Sequence, residues 1–222
     1  MLLAAELALL AIDPASGRHA LGARDELNAC LAALLVGELV LDGNGGPGER
    51  RGTVVLTDVP PVDPVLVATA QVVAVRGPKL KAVMSSMDRS LGKRLGTGTW
   101  DSVVATLVAG HVLGPAAGSV RPRNPVLDPA ARDEVLARVR DAAATDGPLD
   151  ARTALVLAMT GPANLLELVA PDRRGRAHAR RRIDHALDAS SLREIGGVVR
   201  TLLAEAAAAV AATAATVTAA NG

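Results

Sequence analysis

The 222-residue chain is predicted to form one mostly α-helical domain over residues 1–222, with at most a short β-hairpin. Three observations support this fold class. Hydrophobic residues make up 50% of the chain, with one tryptophan and no phenylalanine or tyrosine; the alanine- and leucine-rich remainder favours helices. Apolar residues recur at helical spacing in several segments. Helix-capping patterns also outnumber the short β-branched runs that indicate strands.

The composition excludes several classes of partner and site. A formal net charge of +1 lacks the cationic excess of a nucleic-acid-binding protein, and the chain lacks the aromatic rings on which single-stranded bases stack. Nucleic acid is therefore not an expected partner. The single cysteine, Cys30, cannot form an intramolecular disulfide. We expect it to be buried and structural, in a reducing compartment.

The first half of the chain predicts two helices and one strand. An apolar N-terminal helix should end at Asp13-Pro14, because a residue before proline is biased away from helix. Its lack of a basic leading segment argues against a signal peptide. A longer helix, from about Ala23 to Leu41, is the best candidate for a central helix and ends at a glycine cluster. Arg51 to Asp58 is predicted to be one arm of a small hairpin.

Later helix starts are predicted from capping patterns. Three aspartates are placed to accept hydrogen bonds from the first turn of a helix, and two of them are followed by proline at the first helical position. They are Asp63, Asp128 and Asp150. Ser191 and Glu194 form a capping-box pattern for a final helix. Between these helices, residues 114–125 are expected to form a surface loop.

The C-terminal segment from Thr201 to Ala220 has nearly the length of a membrane span. Glu205 is its only charge, and the cost of inserting this carboxylate offsets the gain from the few large apolar residues. A packed helix is predicted instead, and no transmembrane segment is expected.

No catalytic, metal or cofactor motif is present, so none of these sites is predicted. His178, Asp184 and His185 form a loose group, but the surrounding arginines oppose a bound cation. Glu6 and Glu38 fall on apolar helix faces. Each is either buried beside an arginine or helix end, or has a raised pKa suited to acid–base chemistry.

Two further features are open to a functional and a structural interpretation. Trp100 is either a core anchor or a wedge at a membrane interface. Arg173, Arg176 and Arg180 share one side of a helix, which suits anionic lipid head groups or an acidic protein face. The alternative for these arginines is an ordinary solvated surface.

Three apolar segments carry a resemblance to a known family. Residues 2–13 and 31–43 are separated by Gly17-Arg18, and residues 107–113 match a "leucine, valine, two residues, glycine, valine, leucine" helix end, with His111 at the expected glycine. In this order, the segments resemble the Golgi phosphoprotein 3-like family over nearly the whole chain. The 21 arginines against 3 lysines are typical of a GC-rich bacterial genome.

The resemblance implies a four-helix core wrapped by further helices, without enzymatic activity. Eukaryotic members bind phosphatidylinositol 4-phosphate on Golgi membranes and connect glycosyltransferases with coat proteins. Their lipid pocket uses a tryptophan before the second helix, an arginine within it, and two basic residues at the start of the later helix. Ala23, Ala32, Thr97 and Trp100 align with these positions, and none of them matches.

A looser anionic site is predicted instead, because alanine and threonine cannot supply the charged donors that phosphates need. Its candidate lipid head-group residues are Arg18, Arg24, Lys93, Arg94 and Trp100. The leading hypothesis is a cytoplasmic, non-catalytic adaptor-like protein that meets anionic phospholipid or phosphoinositide head groups at the inner face of the membrane, or a protein partner.

Two alternatives come from other functional classes. One is a small-molecule-binding or enzymatic helical domain that uses Glu6 or Glu38. The other is a structural scaffold that oligomerises through apolar helix faces.

Overall fold

A computed structural model describes residues 1–19, 24–50, 52–118 and 123–188, and residues 201, 204–206 and 208. In the described residues, the only sheet is one antiparallel pair of three-residue strands. The prediction of a mostly α fold with a short hairpin is therefore confirmed. The elements are α1 (Leu3–Ala11), α2 (Arg24–Leu41), β1 (Gly45–Pro47), β2 (Val54–Leu56), α3 (Pro64–Arg76), α4 (Leu80–Leu95), α5 (Thr99–Ala109), α6 (Pro129–Ala144), α7 (Ala151–Thr160), α8 (Leu166–Val169) and α9 (Arg173–Asp188).

Helices α1, α2, α5 and α7 form the centre of the fold. Helices α1 and α2 pack against each other, and each of them also packs against both α5 and α7. Helices α3 and α4 form a hairpin that contacts α2, while α6 and α9 pack together and both contact α7. The expected four-helix core wrapped by further helices is thus confirmed.

The two central helices are buried on more than one face. Every residue of α1 is buried, and so are residues 30–40 of α2, including Cys30. The apolar spacing in α2 suggested a single buried face. The structure buries the whole middle of that helix because neighbours surround it on several sides. This arrangement accounts for the many alanine, leucine and valine residues of α1 and α2, since small aliphatic side chains allow neighbouring helices to approach closely from several directions.

The three predicted aspartate caps are confirmed. Asp63 accepts from the backbone N–H groups of Val65 and Leu66, at 2.8 and 3.3 Å. Asp128 and Asp150 each accept one such bond, at 3.1 and 2.9 Å. The predicted Ser191–Glu194 capping box lies outside the described residues, as does most of the predicted C-terminal helix. Among the helices of the described residues, none combines the length and apolar character needed to cross a bilayer.

The hairpin takes its first strand from the glycine cluster, where the sequence predicted only a loop. Gly45 pairs with Leu56 and Pro47 pairs with Val54. A Cβ on Gly45 would lie 3.3 Å from the Val55 carbonyl oxygen, so the absence of a side chain permits this close approach.

The predicted surface loop after α5 is a partly paired arm, formed by residues 113–118 and 123–126. Leu113 is bridged to Val126 and Ala117 to Arg123. The arm folds back on the loop after α1, where the Asn124 N–H donates to the Gly17 carbonyl at 2.8 Å. A Cβ on Gly17 would lie 2.8 Å from the Asn124 carbonyl oxygen, and the backbone of Gly17 has a φ of +66°. The close approach and the left-handed backbone conformation therefore both favour glycine.

His111 occupies the turn that ends α5 with a φ of +58°. It is exposed, so its side chain contributes little packing. We therefore expect His111→Gly to raise the free energy of unfolding by about 1 kcal/mol, because glycine adopts this left-handed conformation without a steric penalty. Urea denaturation would measure the change. His111→Val should have the opposite effect, and equal stability of the two variants would contradict the argument.

Candidate functional site

A cavity of about 870 Å³ lies between the loop after α1, helix α5 and the paired arm. We call it the Trp100 cavity. Its wall on the α5 side is mainly apolar, and the arm supplies a second wall. Its lining includes Arg18 and His19 from the loop, Trp100, Asp101, Val104 and Val108 from α5, and Pro115, Ala116 and Asn124 from the arm.

Trp100 is held at the first turn of α5. The residue is only 7% exposed, and its backbone N–H donates to Asn28 Oδ1 on α2 at 3.0 Å. The His19 ring lies edge-on to the indole, with ring centres 5.7 Å apart and planes at 75°. This geometry favours attraction between the rings. Trp100 is therefore packed in the core, as the core-anchor interpretation predicts, and also forms part of a cavity wall; its low exposure contradicts the interpretation as an exposed wedge at a membrane interface.

The loop that carries Arg18 is fixed by local hydrogen bonds. Asp13 accepts from the N–H groups of Ala15 and Ser16, at 2.9 and 2.7 Å, and the Asp13 N–H donates to the Arg18 carbonyl at 2.7 Å. Hydrogen bonding from Ser16 lowers the pKa of Asp13. These bonds hold the loop in one conformation, which places Arg18 and His19 at the cavity.

The Trp100 cavity combines one permanent positive charge with an apolar wall. Arg18 is the only lysine or arginine among its described lining residues, and Asp101 also lines it. A guanidinium can donate several hydrogen bonds to a phosphate or carboxylate, while Val104 and Val108 provide a surface for a hydrocarbon group. The arrangement suits a molecule with an anionic end and an apolar body.

The structure divides the predicted head-group residues into two places. Arg18 and Trp100 share the Trp100 cavity. Lys93 and Arg94 instead border a separate cavity of about 330 Å³ between α3 and α4, together with Arg76. Arg94 donates to Gln71 Oε1 at 2.6 Å. We call this second place the α3–α4 surface.

Three further positions, Ala32, Thr97 and Ala23, align with the family's lipid pocket, and the two described ones, Ala32 and Thr97, do not line the Trp100 cavity. Ala32 is 2% exposed and belongs to the core. Thr97 is exposed, and its hydroxyl lies 2.9 Å from the Ser102 hydroxyl. Ala23 lies outside the described residues, and so does the side chain of the candidate Arg24.

The predicted arginine row on α9 is not uniform. Arg173 and Arg180 are exposed, whereas Arg176 is partly buried. The Arg176 guanidinium donates to the Pro171 carbonyl at 2.5 Å and lies 3.7 Å from Glu167 Oε1. Arg176 is therefore engaged at the start of its own helix, and the two exposed arginines are the more accessible charges.

Glu38 lies in a closed ion pair between three helices. It is 2% exposed; one carboxylate oxygen accepts from the Leu3 N–H at the start of α1, and the other from Arg152 on α7, both at 2.7 Å. Burial raises the pKa of Glu38, against the opposing effects of Arg152 and the Leu3 N–H. Glu38 borders a cavity of about 660 Å³ that Asp42 and Asp63 also line, but its own oxygens are occupied.

Glu6 forms the matching contact on α1. Its carboxylate lies 2.5 Å from Arg138 on α6, which also donates to the Thr153 hydroxyl of α7 at 2.7 Å. Both glutamates are therefore buried beside an arginine, and Glu38 also lies at a helix end. These closed pairs weigh against acid–base chemistry at either carboxylate. No three histidine, cysteine or acidic side chains of the described part of the chain are grouped to hold a metal ion.

Sequence reasoning missed three residues that the structure places at these sites. His19 and Asp101 line the Trp100 cavity, and each directly follows a residue that was selected. Arg76 lies on the α3–α4 surface, at the last position of an apolar helix, where it was not considered. Adjacency to Arg18 and Trp100 was the available signal for the first two.

The protein is thus mostly α-helical, with a four-helix core and an amphipathic cavity beside it. Residues 3–217 match the family Golgi phosphoprotein 3 (GPP34), and the chain belongs to this family. The family is of the non-enzymatic adaptor type. The resemblance found in the sequence is thereby confirmed. No individual curated protein matches the chain.

The raised pKa of Glu38 leads to a prediction about pH. The folded chain retains the Glu38 proton above the ordinary pKa of 4.5, so this group's contribution to stability is full below that value and is lost as pH rises through its folded pKa. The natural chain should therefore lose stability relative to Glu38→Gln, whose side chain does not titrate, as pH is raised from about 4 to about 7. Urea denaturation across this range would measure it.

The exposed Glu134 provides a control, as Glu134→Gln. The same pH-dependent shift in both variants would show that the effect does not arise from the burial of Glu38.

Proposed function

We propose that the chain is a non-catalytic, cytoplasmic peripheral protein that reversibly binds anionic lipids at the inner face of the membrane. The observation that carries this proposal is the Trp100 cavity, where Arg18 lies beside the apolar wall of α5. Membership of a non-enzymatic adaptor-type family supports the absence of catalysis. The closed ion pairs of Glu6 and Glu38 support it further.

The charge of the cavity disfavours a lipid with several negative charges. Arg18 supplies one positive charge, and Asp101 adds a carboxylate to the same lining. A phosphoinositide phosphorylated on its ring carries more negative charge than one arginine can balance, and the residues aligned with the family's phosphate-binding positions include Ala32 and Thr97. We therefore infer a preference for a phosphodiester such as phosphatidylglycerol over phosphatidylinositol 4-phosphate.

The remaining exposed cations would add a less specific attraction. Lys93, Arg94 and Arg76 lie on the α3–α4 surface, next to Val75, which is 70% exposed. Arg173 and Arg180 offer further exposed charge on α9. Each cation close to an anionic surface contributes about 1 kcal/mol, and salt screens this attraction. We propose these residues as accessory contacts to the Trp100 cavity.

Vesicle flotation tests the charged half of the proposal. At low salt, Arg18→Gln should weaken binding to phosphatidylglycerol vesicles about fivefold, because one cation near the surface contributes about 1 kcal/mol. Arg50→Gln is the matched control, since Arg50 is exposed in the turn between the two strands and does not line the Trp100 cavity. Equal losses in the two variants would exclude a special role for Arg18. A natural chain that ignores anionic vesicles would overturn the proposal.

The fluorescence of Trp100 tests the apolar half, because this residue is the only tryptophan of the chain. Monomeric short-chain phosphatidylglycerol should change the emission of Trp100, and the neutral phosphatidylcholine analogue should have less effect. Ala105→Leu narrows the cavity and should reduce the response, because Ala105 lines it. Ala137→Leu, at an exposed position of α6, should leave the response intact. An undiminished response in Ala105→Leu would place the lipid elsewhere.

A further inference from the structure

His19 lines the Trp100 cavity beside Arg18, yet lipid binding by Arg18 and the apolar wall makes no use of it. The residue is exposed, and its ring lies edge-on to the Trp100 indole, with ring centres 5.7 Å apart. Its backbone is bridged to Ile12, directly after α1. These two contacts hold an accessible imidazole at the wall of the cavity.

The polar side-chain atoms of His19 and Arg18 are available to a ligand. Across the part of the chain that the structure describes, neither ring nitrogen of His19 forms a hydrogen bond or an ion pair, and neither does the Arg18 guanidinium. Other arginines are engaged, since Arg94 donates to Gln71. Two adjacent residues therefore bring an imidazole and a guanidinium with unused hydrogen-bond donors to one cavity.

The charge of this lining depends on the state of His19. Histidine is the side chain whose charge ordinarily changes between about pH 5 and 8. The other charged groups of the described lining are Arg18, from the same loop, and Asp101, from α5. Aspartate and arginine ordinarily keep their charges over this range. The arm contributes groups that do not titrate, Pro115, Ala116 and Asn124. Protonation of His19 is therefore the step that adds a second positive charge.

We propose that His19 is a second head-group residue of the Trp100 cavity, and that its protonated ring donates to the phosphate of a bound lipid together with Arg18. The proposal rests on the function proposed for this cavity and adds the residue that makes binding depend on pH. An anion favours the protonated ring, so binding should strengthen as the pH falls. One added cation near an anionic group should strengthen it about fivefold.

The emission of Trp100 tests the ring contact without any lipid, because the chain has no other tryptophan and no tyrosine. A protonated imidazole quenches an adjacent indole, so emission should fall as the pH is lowered from 8 to 5.5. His19→Asn should remove this step. His111→Asn is the matched control, since His111 is exposed and does not line the cavity. A step that persists in His19→Asn would overturn the proposal.

Flotation with phosphatidylglycerol vesicles at pH 5.5 and 8, at constant ionic strength, tests the effect on binding. The phosphodiester keeps one negative charge at both values, so any change arises from the protein. The natural chain and His111→Asn should bind about fivefold more tightly at pH 5.5 than at pH 8. His19→Asn should lose this gain and retain the binding at pH 8. His19→Arg should bind at pH 8 as tightly as the natural chain does at pH 5.5.

A purely structural role for His19 would not produce the gain in His19→Arg. The full gain at pH 5.5 in His19→Asn would overturn the proposal. Equal binding of the natural chain at both pH values would overturn it too, while leaving lipid binding by the cavity intact. Absence of binding at both values would overturn the proposed function and this inference together.

Discussion

The complete burial of α1 is the constraint on which the rest of the fold depends. A helix without an exposed face needs neighbours on all sides, and α2, α5, α6 and α7 supply them. Burial also brings a carboxylate and a helix start out of water, and both need partners. Arg138 pairs with Glu6, while Glu38 accepts from the Leu3 N–H and pairs with Arg152. Both ion pairs also involve α7, because Arg138 donates to the Thr153 hydroxyl and Arg152 itself belongs to α7. These directional polar contacts fix the relative positions of helices whose other contacts are apolar and non-directional.

The sequence predicted best those features that depend on neighbouring residues. The aspartate caps at the starts of α3, α6 and α7 were identified because a cap and its first turn are adjacent in the chain. Helix α4 was overlooked, although its buried residues follow a clear helical spacing. They are Leu80, Val83, Met87 and Leu91. The candidate site was only half recovered: Arg18 and Trp100 meet, whereas Lys93 and Arg94 lie on another surface. The chain turns at Gly96 between α4 and α5. The direction of α5 relative to α4 depends on contacts between residues that are far apart in the sequence, so sequence patterns do not predict it.

The near-neutral net charge does not show where the charged groups lie. Glu6 and Glu38 are buried beside arginines. Asp63, Asp128 and Asp150 accept backbone hydrogen bonds at helix starts, where Asp128 and Asp150 remain exposed. Several arginines are exposed on α4 and α9 and in the hairpin turn. A sum of +1 therefore does not describe the local surface that a partner meets.

The paired arm after α5 forms one wall of the Trp100 cavity and touches the core only at its base, through Leu113 and Val126. It contributes Pro115, Ala116 and Asn124 to the lining, and the Asn124–Gly17 backbone contact fastens it to the opposite loop. Substitutions in the arm therefore alter the width and polarity of the cavity while leaving the buried helices intact. Changes beyond the base of the arm can in this way alter the ligand preference of the cavity through one wall, with little loss of folding stability.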